Sequence, residues 1–401
     1  MLNLKSKPVL ALCPFLFALS IACSSEKVRF DVSGQLGYCH SQALKTLQQL
    51  PADTCLLPRS ISGEACAAWA LSGIYDWTSG FFPGILWYDY ENSGSDTILS
   101  AALRFTRCLA PLGNPASWGD HDIGFQMLCS FGNALRITGD KAYEEMLLGG
   151  AEKLARLYNP AVGTTLSWPG MVQKMNWPHN TIMDNMMNLE ILFWAAKNGG
   201  SKAYYDMAVS HAVKTMENHF RADYSCYHVA VYDTATGDFI KGVTNQGYSD
   251  ESMWARGQAW AIYGYTMVYR ETQDKKFLRF VEKVVDIYAR RLPDDLVPYW
   301  DFDDPAIPNA PRDASSAAIV ASALLELSQL EDDRKMAKSY RSLAEQMLIS
   351  LSENYQSRDA NPAFLRHSTG NLPAGYEIGC SISYADYYYI EALMRYKNWG
   401  F

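Results

Sequence analysis

Two aspartates have the residue type and surroundings for proton chemistry. Asp122 stands in Gly119-Asp120-His121-Asp122-Ile123-Gly124-Phe125, and Asp184 in Thr181-Ile182-Met183-Asp184-Asn185-Met186-Met187-Asn188. Each marks the point where a loop enters a helical pattern. An aspartate at such a point ordinarily caps the helix or answers its dipole. These two have Met, Phe and Asn as neighbours instead of solvated polar residues. In a ring of helices both junctions face the same mouth. Two carboxylates brought together do not both ionise easily, so one can serve as an acid near neutral pH. The helix dipole opposes that protonation, so burial and the second charge must overcome it.

A second cluster runs from Thr244 to Trp260 and contains Gln246, Trp254, Arg256 and Gly257. A glycine inside a helix costs about 1 kcal/mol against alanine, so Gly257 signals tight packing or close approach of a ligand. Arg256 lies one turn from Trp260. Its guanidinium suits either a bidentate clamp on a substrate carboxylate or a buried ion pair with a neighbouring acid. The histidines, at 40, 121, 179, 211, 219, 228 and 367, form no HxxxH or HExxH pattern. The acidic loop Asp301-Phe302-Asp303-Asp304 lacks the full calcium-loop pattern, and turn and capping roles are preferred for it.

The elements that position these groups are helices. Apolar residues recur at i, i+3, i+4 and i+7 over 42–50, 80–90, 96–109, 122–137, 141–158 and 183–198. The same spacing returns over 202–220, 255–271, 275–292, 315–330, 334–355 and 383–396. Only Tyr227–Tyr232 and Asp238–Val243 read as strands, forming a hairpin about Thr236-Gly237-Asp238. A dozen helices, some rich in small residues such as Ala314–Ala323, predict an all-α fold: an (α/α)6 barrel with a small β-hairpin insertion. A helical solenoid is the competitor, but no fixed repeat period is present.

Net charge is −8, against a nucleic-acid footprint. The many Trp and Tyr residues suit a saccharide cleft as well as a large core. Residues 1–22 read as a signal peptide: Lys5 and Lys7 precede the apolar run Val9–Ala22. Leu19-Ser20-Ile21-Ala22-Cys23 resembles a bacterial lipobox, which implies a lipid anchor on Cys23 and export to the periplasm or a membrane. Residues 23–37 read as a tether and 38–401 as one domain. The other cysteines outside the signal (39, 55, 66, 108, 129, 226 and 380) have no disulfide-framework spacing, and Cys108 and Cys129 read as plain core residues.

Four motifs in order resemble the unsaturated glucuronyl hydrolases, glycoside hydrolase family 88. They are Trp77-Thr-Ser-Gly-Phe-Phe-Pro-Gly-Ile-Leu-Trp87, His121-Asp-Ile-Gly-Phe125, Asp184-Asn-Met-Met-Asn-Leu189 and Arg256-Gly-Gln-Ala-Trp260. The likeness continues to Ala385–Leu393. It implies the (α/α)6 barrel and a lyase-generated oligosaccharide, glycosaminoglycan-derived, ending in a 4,5-unsaturated uronic acid. It also implies hydration of the vinyl ether, with no metal or cofactor. Asp184 matches the general acid/base. Asp122 matches its partner, expected to be an anion that steadies the cationic transition state. Trp77, Trp168, His228, Gln246, Trp254, Arg256 and Trp260 match substrate-contacting positions. The loop Arg366–Tyr376 lies where some family members read a sulfate; it has no lysine, which leaves Arg366, His367 or Ser368. Nucleic acid is not an expected partner, and the chain is expected to be a monomer or weak oligomer. The alternatives are an unsaturated rhamnogalacturonyl hydrolase of the same fold, an inverting glycosidase, and a non-catalytic surface glycan-binding lipoprotein.

Overall fold

The computed structural model describes residues 30–63 and 68–400. The signal segment, the lipobox with Cys23, and Cys66 lie outside the described residues. From Asp31 onward the described chain clusters as one compact unit.

Helix α1 (Val32–Gln49) begins inside the stretch read as a tether, because Asp31 caps it by accepting a bond from the Gly34 amide at 2.9 Å. Next come α2 (Phe81–Ser93), α3 (Asp96–Cys108) and α4 (Ile123–Met127). A π turn (Leu128–Gly132) joins α4 to α5 (Asn133–Thr138). The rest are α6 (Ala142–Arg156), α7 (Pro169–Lys174), α8 (Asn185–Lys197), α9 (Ala203–Asn218), α10 (Ala255–Thr272), α11 (Lys275–Arg291), α12 (Ala314–Leu330), α13 (Arg334–Asn354) and α14 (Ser383–Asn398).

Burial separates two rings. Helix α12 is buried without a break from Ala314 to Leu327, and α10 from Ala255 to Tyr269. A helix covered on all sides lies inside a larger shell. Helix α11 instead buries Phe277, Leu278, Val281, Val284, Val285 and Tyr288, one stripe of helical period. The inner ring closes through contacts of α2 with the π turn and α5, then α4–α8, α8–α10, α10–α12, α12–α14 and α14–α2. Helices α3, α6, α9, α11, α13 and α1 pack outside it. This is the (α/α)6 barrel.

The strands are more numerous than the one expected hairpin. β1 (Leu57–Ile61) pairs with β2 (Ala70–Ser72) and with β8 (Ser381–Ile382); β3 (Tyr158–Asn159) pairs with β4 (Thr164–Thr165). The expected hairpin is β6 (Val229–Tyr232) and β7 (Phe239–Val243), with Gly237 at φ +76° in its turn. It gains a third antiparallel strand, β5 (His179–Ile182), in the order β5-β6-β7. Its apolar face, Ile182, Val229, Val231 and Val243, packs with Trp177 beneath Trp168 and Met171.

The reading of the cysteines needs a correction. Cys108 is not a plain core residue: it forms a disulfide with Cys55, 53 positions earlier. Cys39, Cys129, Cys226 and Cys380 are free and buried.

Candidate active site

Helices α4 and α8 are neighbours in the inner ring, and Asp122 and Asp184 immediately precede them. Neither side chain caps its helix, so the ordinary role of such residues is not theirs. Close approach of the two helices depends on Gly124: a Cβ there would lie 2.6 Å from Asn188 Cα. Asn188 ties the junctions together. Its Oδ1 accepts from the Phe125 amide at 2.7 Å, and its Nδ2 donates to the Asp184 carbonyl at 3.2 Å.

The three-stranded sheet brings in the next group. The Met183 amide donates to the His228 carbonyl at 3.0 Å, so the β5–β6 pairing sets Asp184 beside His228. Beyond β7 the chain turns back, and the amides of Asn245 and Gln246 donate to His228 Nδ1 at 3.2 and 3.1 Å. An Nδ1 that accepts leaves the proton of the neutral ring on Nε2. Nε2 lies 3.7 Å from Asp184 Oδ2. Burial, with Arg256 nearby, holds the imidazole well below its usual range, so it is a neutral donor.

One cavity of about 220 Å³ gathers Trp77, Asp122, Trp168, Asp184, Gln246 and Arg256. His228 packs at a tilt of 44° on Trp254, centroids 4.6 Å apart, and meets Trp168 edge-on at 5.6 Å. Trp260 lies buried beneath, packed on Phe125. Gly257 is explained by packing, since a Cβ would lie 2.7 Å from the Trp254 indole. Both aspartates are 8% exposed, enough to be reached and little enough to be desolvated.

Arg256 realises the buried-ion-pair alternative. Its Nη1 donates to Asp313 at 3.1 Å and to the Thr369 carbonyl at 2.5 Å, and its Nη2 to the Gly370 carbonyl at 2.6 Å. The guanidinium therefore anchors the 368–371 loop while it faces the cavity. Two further positions depart from expectation. His367 lines a neighbouring cavity with Arg366 and Asn361, and Ser368 is fully buried where its backbone pairs with Cys380. The same loop sends Asn371 and Tyr376 to the cavity instead, where they join Asn245, Met171 and Ile182. None of these five was singled out as a contact: Asn245, Asn371 and Tyr376 lie on loops, Ile182 ends β5, and Met171 sits on the short helix α7.

Burial lifts the Asp184 carboxyl to about 6, against the opposing pull of Arg256 and Trp260. Asp122 is pushed well above the usual carboxylate range by burial and by the charges of Asp120 and Asp184. Burial and the neighbouring charges thus oppose the anionic form expected of Asp122. The pair resists holding two charges, and Arg256 favours the charge on Asp184. Asp120, His121 and Asp122 each offer a possible ligand atom within 4.8 Å of one another. In the Asp301–Asp304 loop the carboxylates are engaged as turn acceptors: Asp301 with the Tyr248 and Asp303 amides, Asp303 with Arg291, Asp304 with the Trp300 indole.

Residues 64–401 match the family model for Glycosyl Hydrolase Family 88. The chain is 41% identical over 390 residues to an unsaturated glucuronyl hydrolase of Formosa agariphila, covering 95% of each. It is 34% identical over 335 residues to an unsaturated chondroitin disaccharide hydrolase of Streptococcus pyogenes, covering 81% of this chain and 82% of that one. A crystal structure of an unsaturated glucuronyl hydrolase specific for heparin superposes with a TM-score of 0.85 at 41% identity, over 92% of this chain and 97% of its own.

Proposed function

The chain belongs to glycosyl hydrolase family 88 and removes unsaturated glucuronic acid from glycosaminoglycan-derived oligosaccharides, and we propose that Asp184 and Asp122 do this by hydrating the vinyl ether of the sugar. The observation that carries the proposal is the Asp184 carboxyl, lifted to about 6 beside a second buried carboxyl and a neutral His228. A group with that value can give a proton and take one back near neutral pH.

Asp184 protonates C4 of the unsaturated ring, and positive charge develops at C5 and the ring oxygen. The carboxylate left behind is the anion next to that charge, a role the sequence had given to Asp122. Asp184 then accepts a proton from the water that adds to C5. The resulting hemiketal opens and releases the neighbouring sugar. Asp122, held protonated, donates a hydrogen bond to a ring hydroxyl. His228 Nε2–H supplies a second neutral donor, and Trp77 and Trp168 offer their faces to the sugar.

Turnover in D2O tests the chemistry. Deuterium should appear at C4 of the product as the absorbance of the conjugated double bond is lost. Release of the neighbouring sugar with the double bond intact would rule hydration out. We propose unsaturated heparin-derived disaccharides as the first substrates to try, since a relative at 41% identity is described as heparin-specific. Export is part of the same reading. The Cys55–Cys108 disulfide suits an oxidising compartment, and Cys23→Ala should release the protein from the membrane fraction if Cys23 carries lipid.

A further inference from the structure

The cavity that holds the aspartates is not the largest among the described residues. A second, of about 440 Å³, lies further along the inner helices, away from their Asp122 and Asp184 ends. Its size falls within the range of about 300–1,000 Å³ typical of small-molecule sites. We infer that this cavity is a second binding site, which takes a neutral sugar of one or two rings.

The lining argues for sugar. Tyr88, Tyr263, Tyr387 and Trp194 present aromatic surface, and Asn133 and Glu391 stand among them with polar groups. Aromatic faces with phenol and amide groups between them match the alternating C–H and O–H surface of a pyranose. The charges argue for neutrality. Glu391 accepts from Tyr88 and Tyr263 at 3.1 Å and from Ser322 at 2.6 Å, with Arg395 3.7 Å away. Glu190 is paired with Arg270, and Arg136 with Glu91 at 2.7 Å. Each charged group of the wall already has its counter-charge, so a charged ligand gains no unpaired partner, whereas a polyol can share the existing donors and acceptors.

The backbone supplies an independent sign. The π turn Leu128–Gly132 forms part of this wall through Leu128, Cys129 and Gly132. Such turns are frequent at functional sites. One aromatic layer separates the two cavities: Phe125 lines the second and packs on Trp77 of the first at 5.8 Å.

The test is a titration of the full chain with N-acetylglucosamine, lactose and glucuronate, followed by saturation-transfer NMR and calorimetry. The neutral sugars should bind one per chain. Trp194→Ala should weaken them about tenfold, as loss of a stacking aromatic does. Leu135→Trp, which adds bulk at the rim, should do the same. Trp168→Ala, in the other cavity, should leave the binding unchanged. The proposal is overturned if neither neutral sugar binds, if Trp168→Ala abolishes binding while Trp194→Ala and Leu135→Trp do not, or if glucuronate displaces the neutral sugars from the Trp194 cavity as readily as they displace each other. Matching thermal melts establish that each variant is folded. Hydrolysis is not part of the readout, so the outcome is independent of the roles of Asp184 and Asp122.

Discussion

The two ends of the barrel bury similar side chains and treat them in opposite ways. At one end Asp184 and Asp122 share a cavity with one guanidinium, and that guanidinium is engaged with Asp313 and two loop carbonyls. Asp184 Oδ2 lies 3.7 Å from the neutral ring of His228. At the other end Glu326 lies between Arg270 and Arg395, at 2.6 and 3.1 Å. Burial raises its carboxyl, yet Arg395 and Arg270 outweigh burial and hold it below the usual range. Desolvation is common to both ends. Two flanking arginines hold Glu326 in its ionised form, whereas burial still raises Glu190, which among the described residues pairs with Arg270 alone, as it raises Asp184.

Substitutions can break this contrast from either side. The largest effect is expected for Asp184→Asn: kcat should fall on the order of a thousandfold, with disaccharide binding retained by calorimetry. Full activity in that variant sinks the assignment. Arg395→Met leaves Glu326 and Glu391 short of a partner at the other end. It should cost about 3 kcal/mol of stability in urea unfolding, while kcat per folded molecule stays near wild type. A large loss of kcat there would show that the two ends are not separable.

Asn188→Ala sharpens the comparison at the junction of α4 and α8. It leaves the Phe125 amide unpaired at a cost of about 1–3 kcal/mol, and kcat should drop more than KM rises. If KM alone responds, Asn188 does not set the geometry of the pair.

The smallest effects lie in pH. Activity should decline as pH rises through about 6, when Asp184 loses its proton. Stability carries two opposite slopes. The raised Asp184 stabilises most when protonated, below its ordinary value of 3.8, and that contribution is lost as pH rises through about 6. His179 and His219, lowered by burial to about 4 and about 3, contribute stability above their ordinary 6.5 that is lost as pH falls through those values. Because Asp386, raised to about 8, also adds stability as pH falls, the readable quantity is a difference: Asp184→Asn should gain less, or lose more, stability than wild type on acidification from about 6 to 3.8. An unchanged slope in that variant would place the shifted carboxyl elsewhere.

The sequence made the barrel legible because helical period is local. Asp96, Lys275 and Arg334 each open a helix where the pattern begins, and the hairpin at Gly237 follows from its turn residues. The paired aspartates were legible because their neighbours are apolar where a cap would be solvated. What stayed hidden depends on pairing across distance. Strand β5 is four residues long, yet its register with β6 sets Asp184 against His228. The loop after Arg366 turns at His367, φ +63°, and this reorients the side chains that follow. Asn371 and Tyr376 consequently reach the cavity, where His367 and Ser368 had been expected. Arg256 was read with both of its options open, and only the positions of Asp313 and the 369–370 carbonyls could choose between them.

The Cys55–Cys108 bond has a consequence for how the protein is made. It closes a loop of 53 residues that contains Trp77 and all of α2, the first helix of the inner ring. On the chain-entropy model a loop of that length removes about 4 kcal/mol of freedom from the unfolded chain. Production in a reducing cytoplasm would forfeit that restraint and raise the population of open chains by nearly a thousandfold at equal contacts. Yield and thermal resistance should therefore depend on the redox state of the expression host before any residue of the catalytic cavity is altered.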